Sequence, residues 1–364
     1  MKILNIFGTR PEAVKMVPVI QALSAVDEVD NLVCVTAQHR ELLDEVLTPF
    51  NIVPNYDLNL MKERQTLTEL TAAALVGIGQ VIQQSKPDWV LVHGDTATTL
   101  SASLAAFYNK VKVGHIEAGL RSYDKYQPFP EEINRKVATA IADYHFAPTE
   151  LAKNQLINEN IPQNTIFVTG NTGIDIISTT VKTGYQFRNK DIQNVNGKIL
   201  LMTAHRRENW GEPLENICKA VKQLALDFPD ITVVYPVHPN PVVKETVFSI
   251  LANCTNIILT EPLNIFDMHN LMAKSYLVLT DSGGLQEEAP ALDKPVVVLR
   301  EVTERPEGET AGTLLLAGTN QQKIYNSVKI LLTDQEKYNQ MSTAKNPFGD
   351  GKAAKRIVEI LLKK

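Results

Sequence analysis

Short apolar runs alternate with longer amphipathic segments along this chain, the pattern of βα units whose parallel strands are buried on both faces. In the first half, Ile3–Phe7, Leu32–Thr36, Trp89–His93, Val111–Ile116, His145–Ala147 and Ile166–Thr169 predict strands. Helical patterns lie between them. The segment Thr66–Gln84 places Leu67, Leu70, Ala74 and Ile78 on one side and stops before Lys86-Pro87, where proline disfavours continuation. Past Gly170-Asn171-Thr172-Gly173, a polar stretch over Lys182–Gly197 precedes a second series. Its strands are predicted at Lys198–Met202, Thr232–Tyr235, Ile257–Thr260, Tyr276–Thr280 and Pro295–Leu299, with helices at Glu215–Asp227 and Ser282–Leu292. The pattern predicts an α/β protein of two Rossmann-like domains, 1–170 and 171–350, and a last helix within 351–364 that periodicity alone assigns to neither.

A length of 364 residues supports two cores of ordinary size. With 44% hydrophobic and 21% charged residues and a formal net charge of −5, the composition excludes a disordered or fibrous chain. It also gives no global field for nucleic acid, so no nucleic-acid partner is expected. No apolar run approaches the roughly 20 residues that cross a bilayer, and the N-terminus lacks a signal-peptide layout. The expectation is a cytoplasmic protein without a membrane partner. Cys34, Cys218 and Cys254 are widely spaced in apolar surroundings and suggest passive thiols rather than a disulfide framework or a zinc site.

Ligands of open parallel sheets bind beyond the carboxyl ends of the strands, and here those positions are polar. The first half offers Gly8-Thr9-Arg10, Gly94-Asp95, and then His115, Glu117 and Arg121. The second offers His205-Arg206-Arg207-Glu208-Asn209, Pro236-Val237-His238 and Asp281-Ser282-Gly283-Gly284. Small residues such as Ser282, Gly283 and Gly284 before a helix let amide groups approach an anion. A tight turn with Ser282 as a plain N-cap is the alternative. Glu288, farther into that helix, suits a ribose hydroxyl or is a solvated carboxylate. His205, Arg206 and Arg207 carry donors suited to a diphosphate, although loop salt bridges explain either of these arginines taken alone, and Arg10 holds the equivalent place in the first half. Asp95 and Glu117 end neighbouring strands, where a shared site raises the proton affinity of one of them; capping of the helix beginning near Thr96 is the other account of Asp95. Glu131 follows Pro130 in the first turn of a helix, where it complements the dipole. Without a partnered Ser or Cys nucleophile, and without a metal-binding run of His and carboxylates, acid, base and electrostatic chemistry remain.

The motifs Phe7–Ala13, His93-Gly94-Asp95, Gly114–Arg121, Pro130–Arg135, Thr203–Asn209, Tyr235–His238, Thr280–Gly284 and Thr303–Glu307 run in order through nearly the whole chain. Together they make it resemble the non-hydrolysing UDP-N-acetylglucosamine 2-epimerases. The resemblance implies two Rossmann-like domains facing a cleft, the glycosyltransferase-B architecture, with the helix within 351–364 returning to the first domain. It implies interconversion of UDP-GlcNAc and UDP-ManNAc by elimination of UDP to 2-acetamidoglucal and re-addition, supplying ManNAc units for cell-surface polysaccharide. A homodimer is implied; a metal or redox cofactor is not. On this resemblance Asp95, Glu117 and Glu131 are the acid/base carboxylates and His205 stands at the leaving diphosphate. Arg10, Ser282, Gly283 and Gly284 would hold the diphosphate oxygens, and Glu288 the ribose. A second, allosteric UDP-GlcNAc is implied at Gln38, Arg64, Glu131, Arg206 and His238. The sequence departs from the family at Glu41, where some relatives carry glutamine, and at Met268, where relatives often have phenylalanine near the uracil. A hydrolysing 2-epimerase releasing ManNAc and UDP would share the fold and similar carboxylates. A retaining glycosyltransferase would need an acceptor site, and a silent nucleotide-sugar sensor would not need three carboxylates.

Overall fold

The computed structural model describes residues 1–36, 40–61 and 65–363, with the side chains of residues 40–42 outside the description. Its strands are β1 (Lys2–Phe7), β2 (Asp30–Val35), β3 (Tyr56–Asp57), β4 (Trp89–His93), β5 (Lys112–Ile116), β6 (Tyr144–Ala147) and β7 (Ile166–Val168), followed by β8 (Lys198–Thr203), β9 (Ile231–Pro236), β10 (Ile257–Thr260), β11 (Leu277–Thr280), β12 (Val296–Val298) and β13 (Leu314–Leu316). The first seven form one sheet in the order β3-β2-β1-β4-β5-β6-β7, and the last six form another in the order β10-β9-β8-β11-β12-β13. Neighbours are parallel throughout both sheets. In each, strand order reverses beside the opening strand, between β1 and β4 and between β8 and β11. The loops leaving such a pair diverge to opposite faces and open a crevice at the strand ends.

Parallel strands buried on both faces need apolar side chains at successive positions, and the second sheet shows where they go. Leu200 and Met202 of β8, with Leu277 and Leu279 of β11, join a core under the helix Glu212–Asp227. Their neighbours Ile199, Leu201 and Val278 join another that includes Leu271 and Met272 of the helix Ile265–Lys274. In the first sheet Leu4, Ile6, Val90 and Val92 pack with Ala74, Ile78 and Ile82 of the helix Leu67–Ser85. That helix opens on a capping box, Thr66 accepting from the Glu69 amide while Glu69 accepts from the Thr66 amide. Burial pushes the Cys34 and Cys218 thiols up to about 12.

The chain divides into two compact units, Met1–Ile176 with Phe348–Lys364, and Ile177–Pro347. The sequence placed its boundary at 170. Residues Thr172–Asp175 form a short helix that packs on the helix Arg10–Ser24, as does the last helix, Ala353–Leu362. Asp175 ties the two together by accepting from the amides of Ala353 at 3.1 Å and Ala354 at 2.6 Å. Strands β3 and β13 lay outside the sequence reading because they are edge strands of two and three residues, too short for a period. Among the described residues no helix is long and apolar enough to cross a membrane, and no group of three or more His, Cys, Asp or Glu is arranged to hold a metal ion.

Candidate functional site

In the first unit the turn after β1 and the turn after β4 share one buried carboxylate. Glu12 Oε2 accepts from the amides of Gly8 at 3.0 Å and Thr9 at 2.8 Å, and Oε1 accepts from the Thr96 hydroxyl at 2.7 Å. The Thr9 hydroxyl also donates to Oε2, at 2.8 Å, and burial raises the proton affinity of Glu12 against these four stabilising bonds. Arg10 begins the helix beside this turn, half-buried and with no ion-pair partner among the described residues. Thr96, not Asp95, caps the helix Ala97–Tyr108, its hydroxyl accepting from the Thr99 amide at 3.2 Å.

Asp95 forms an ion pair with Arg135, and its backbone carbonyl accepts from Asn134 at 2.8 Å. Burial raises its proton affinity, Arg135 opposes this, and Glu117 and Glu131 each raise it further. The three carboxylates named from the sequence therefore share one electrostatic environment. Glu117 follows β5 with φ of 62°, a left-handed backbone that costs a non-glycine residue about 1–3 kcal/mol. Its side chain is held by Lys15 and by Asn171, the latter at 2.9 Å. Gly94 also has positive φ, and a Cβ there would lie 3.8 Å from Glu117 Oε1, so the two strand ends approach closely. Glu131 opens the helix Glu131–Ile141, and its Oε2 is buried without a hydrogen-bond partner. Beneath them, burial lowers His93 to about 4 and His115 to about 3, so both rings are neutral at pH 7. His93 Nε2 lies 3.8 Å from Glu117 Oε2, and His115 Nε2 lies 2.7 Å from the Gly94 carbonyl.

In the second unit Asp281, fully buried, joins the turns after β8 and β11. Its Oδ2 accepts from the amides of His205 and Arg206, both at 2.8 Å, and from Asn209 Nδ2 at 3.0 Å. Ser282 is the N-cap residue of the helix Gly283–Glu288, yet its side chain makes no capping bond. A Cβ on Gly283 would lie 3.7 Å from Arg305 Nη2 and 3.8 Å from Arg206 Nη2, so two guanidinium groups flank the glycine turn. Arg305 pairs with Glu287, and Arg206 lies 3.9 Å from Glu304. The His205 and His238 rings stack at 5.4 Å with 12° between planes, and burial, followed by the neighbouring His205, lowers the proton affinity of His238. Glu288 is not a solvated helix carboxylate: it is largely buried, 3.4 Å from His269 Nε2. Met268 is half-buried and packs against the core on that face.

Gln38 and Arg64 lie outside the described residues, as does the side chain of Glu41. Sequence reasoning assigned no role to Lys15, Arg135, Asn171 and Arg305, although the last three stand inside quoted motifs. Lys15, one turn into a helix beginning at Arg10, carried no local signal. Chemically, the first unit offers a buried carboxylate set able to move protons, and the second a cationic, glycine-lined turn suited to an anion.

The family model described as UDP-N-acetylglucosamine 2-epimerase matches residues 21–362. The UDP-N-acetylglucosamine 2-epimerase of Bacillus subtilis is 56% identical over 362 residues, covering 100% of this chain and 95% of its own. Among solved structures, the UDP-GlcNAc 2-epimerase of Neisseria meningitidis bound to UDP-GlcNAc is similar with a TM-score of 0.91 and 47% identity, covering 100% of each chain. A protein of S. aureus solved with UDP matches with a TM-score of 0.91 and 52% identity over 99% of this chain and 95% of its own.

Proposed function

The chain belongs to the UDP-N-acetylglucosamine 2-epimerase family, and on that premise we propose that it interconverts UDP-GlcNAc and UDP-ManNAc, the first unit supplying proton chemistry at the sugar and the second the hold on UDP. The observation that carries this is the convergence of Glu117 and Glu131 on Asp95, from the ends of β4 and β5 and the start of the following helix. A carboxylate of this set removes the C2 proton while the C1–O bond breaks, its electron pair leaving with the β-phosphate oxygen of UDP. The intermediate is 2-acetamidoglucal. UDP then adds back at C1 as a proton arrives on the opposite face of C2. Asp95, whose burial raises its proton affinity against the opposing Arg135, is the member best suited to take up a proton.

Charge grows on the diphosphate as the bond breaks. Arg10, Ser282, Gly283 and Gly284 would hold its oxygens, with the Arg206 and Arg305 guanidinium groups beside Gly283 and His205 as the proton-exchanging donor. Glu288 would accept from the ribose. Glu131, Arg206 and His238, with Gln38 and Arg64, would take a second UDP-GlcNAc as activator. The product would supply ManNAc units to cell-surface polysaccharide, made by a cytoplasmic homodimer.

The test is incubation with UDP-GlcNAc in D2O followed by NMR of the sugar. Deuterium at C2 of a UDP-linked ManNAc is the expected result. Free ManNAc would mark hydrolysis instead, transfer only on adding an acceptor would mark a transferase, and unchanged substrate despite binding would mark a sensor.

A further inference from the structure

Asp281 carries an oxygen that the loop geometry does not use. Its Oδ2 is engaged by three N–H groups, which settles the His205–Asn209 turn against β11. Its Oδ1 is buried without a hydrogen-bond partner, although buried polar atoms are nearly always satisfied. The polar atom facing it is His205 Nδ1, 3.5 Å away. The His205 side chain is 38% exposed, and its other nitrogen sits on the ring edge across from the one that faces Asp281. On its flank the ring stacks on His238 with 12° between planes, which limits its rotation.

A carboxylate that already accepts three N–H groups behaves as an anion and has only acceptor capacity to offer at its second oxygen. Facing an imidazole, such an oxygen keeps a proton on the near nitrogen and so decides the tautomer. We infer that Asp281 is a positioning residue for His205: its buried Oδ1 holds the proton on Nδ1, leaving Nε2 as the nitrogen that exchanges a proton with the diphosphate. The catalytic part rests on the proposed role of His205; the tautomer part stands on the geometry alone. A small ring movement closes the 3.5 Å separation to a hydrogen bond. The same carboxylate would then position both the loop and the ring it carries.

The experiment uses full-length protein labelled with 15N-histidine at pH 8, where an ordinary imidazole is neutral. The His205 signal is identified by its loss in His205→Gln. In the wild type, His205 is expected in the Nδ1–H form, with or without UDP; finding the Nε2–H form in both states overturns the inference. Asp281→Asn keeps an oxygen for the three N–H donors but turns an amide donor toward Nδ1. This variant is expected to switch His205 to the Nε2–H form, bind UDP within about 3-fold of wild type, and turn over about 100-fold or more slowly. Retention of the Nδ1–H form, or wild-type turnover, also overturns it. A loss of folding in Asp281→Asn leaves the wild-type tautomer as the deciding measurement. Failure of the wild type to epimerise would remove the proposed function while the tautomer still reports on Asp281.

Discussion

The two units place the same device at the same topological point and then use it differently. Between β1 and β4, Glu12 fastens two turns together; between β8 and β11, Asp281 does so. Beyond the fastening, the first unit adds further carboxylates, with Asp95 and Glu117 each held by a cation, over the neutral rings of His93 and His115. Beyond its own fastening the second unit adds guanidinium groups, small residues and two half-exposed or exposed histidines. Buried carboxylates change their proton affinity readily, whereas guanidinium groups stay charged and grip anions. One βα scaffold therefore presents an end suited to proton chemistry and an end suited to an anion, according to what lies just outside the shared carboxylate.

The sharpest way to break this division is to neutralise the carboxylates. Asp95→Asn and Glu117→Gln should each lower turnover about 10²–10⁴-fold and leave UDP affinity within about 3-fold, read by UDP-ManNAc formation and calorimetry. A matching collapse of UDP affinity would erase the contrast between the units.

Next in size is the pH response of the buried rings. His93 lies near 4 when folded, below the ordinary 6.5, so the folded state binds fewer protons and the stability present above pH 6.5 is lost as pH falls toward 4. The displacement corresponds to about 3 kcal/mol at most. Against wild type, His93→Gln should flatten the fall in thermal stability across that window; an unchanged slope would show that His93 is not a buried neutral ring.

Gly283→Ala probes the other end. Its Cβ would be 3.7 Å or more from the nearest neighbouring atoms, so the fold should accept it, with the melting temperature within about 2 °C of wild type. UDP affinity should fall about 10–100-fold, the worth of one or more charge-assisted bonds. Unimpaired binding would move the anion site elsewhere. The smallest effect is expected from Glu288→Gln, about 3–10-fold in UDP affinity, disappearing with 2′-deoxy-UDP if the ribose contact is to that hydroxyl. An equal loss with both nucleotides would remove Glu288 from the ribose.

Much of this was legible in the chain. The strands found by their apolar runs, from Ile3–Phe7 to Ile257–Thr260, recur with bounds unchanged or shifted by a residue or two, because burial on both faces writes continuous apolar stretches into the sequence. The helix predicted at Ser282–Leu292 is α-helical only over Gly283–Glu288 and continues as a 3-10 turn through Ala289–Leu292, where Pro290 removes an amide donor. Of the two readings of Asp95, the hydroxyl of Thr96 removes the capping one by taking the cap itself.

By itself, then, the sequence determined the alternation of strand and helix, the polar strand ends and the family, since periodicity and contiguous motifs are local properties. Only the tertiary structure decided what each acid binds: Glu12 and Asp281 accept from backbone amides, while Asp95 and Glu117 pair with Arg135 and Lys15. The partners of Glu117 and Asp281 stand 102 and 76 residues away along the chain, at Lys15 and at the His205 amide. A carboxylate's proton affinity depends on its burial and on charges a few ångströms off, and sheet order, not sequence order, brings those charges together.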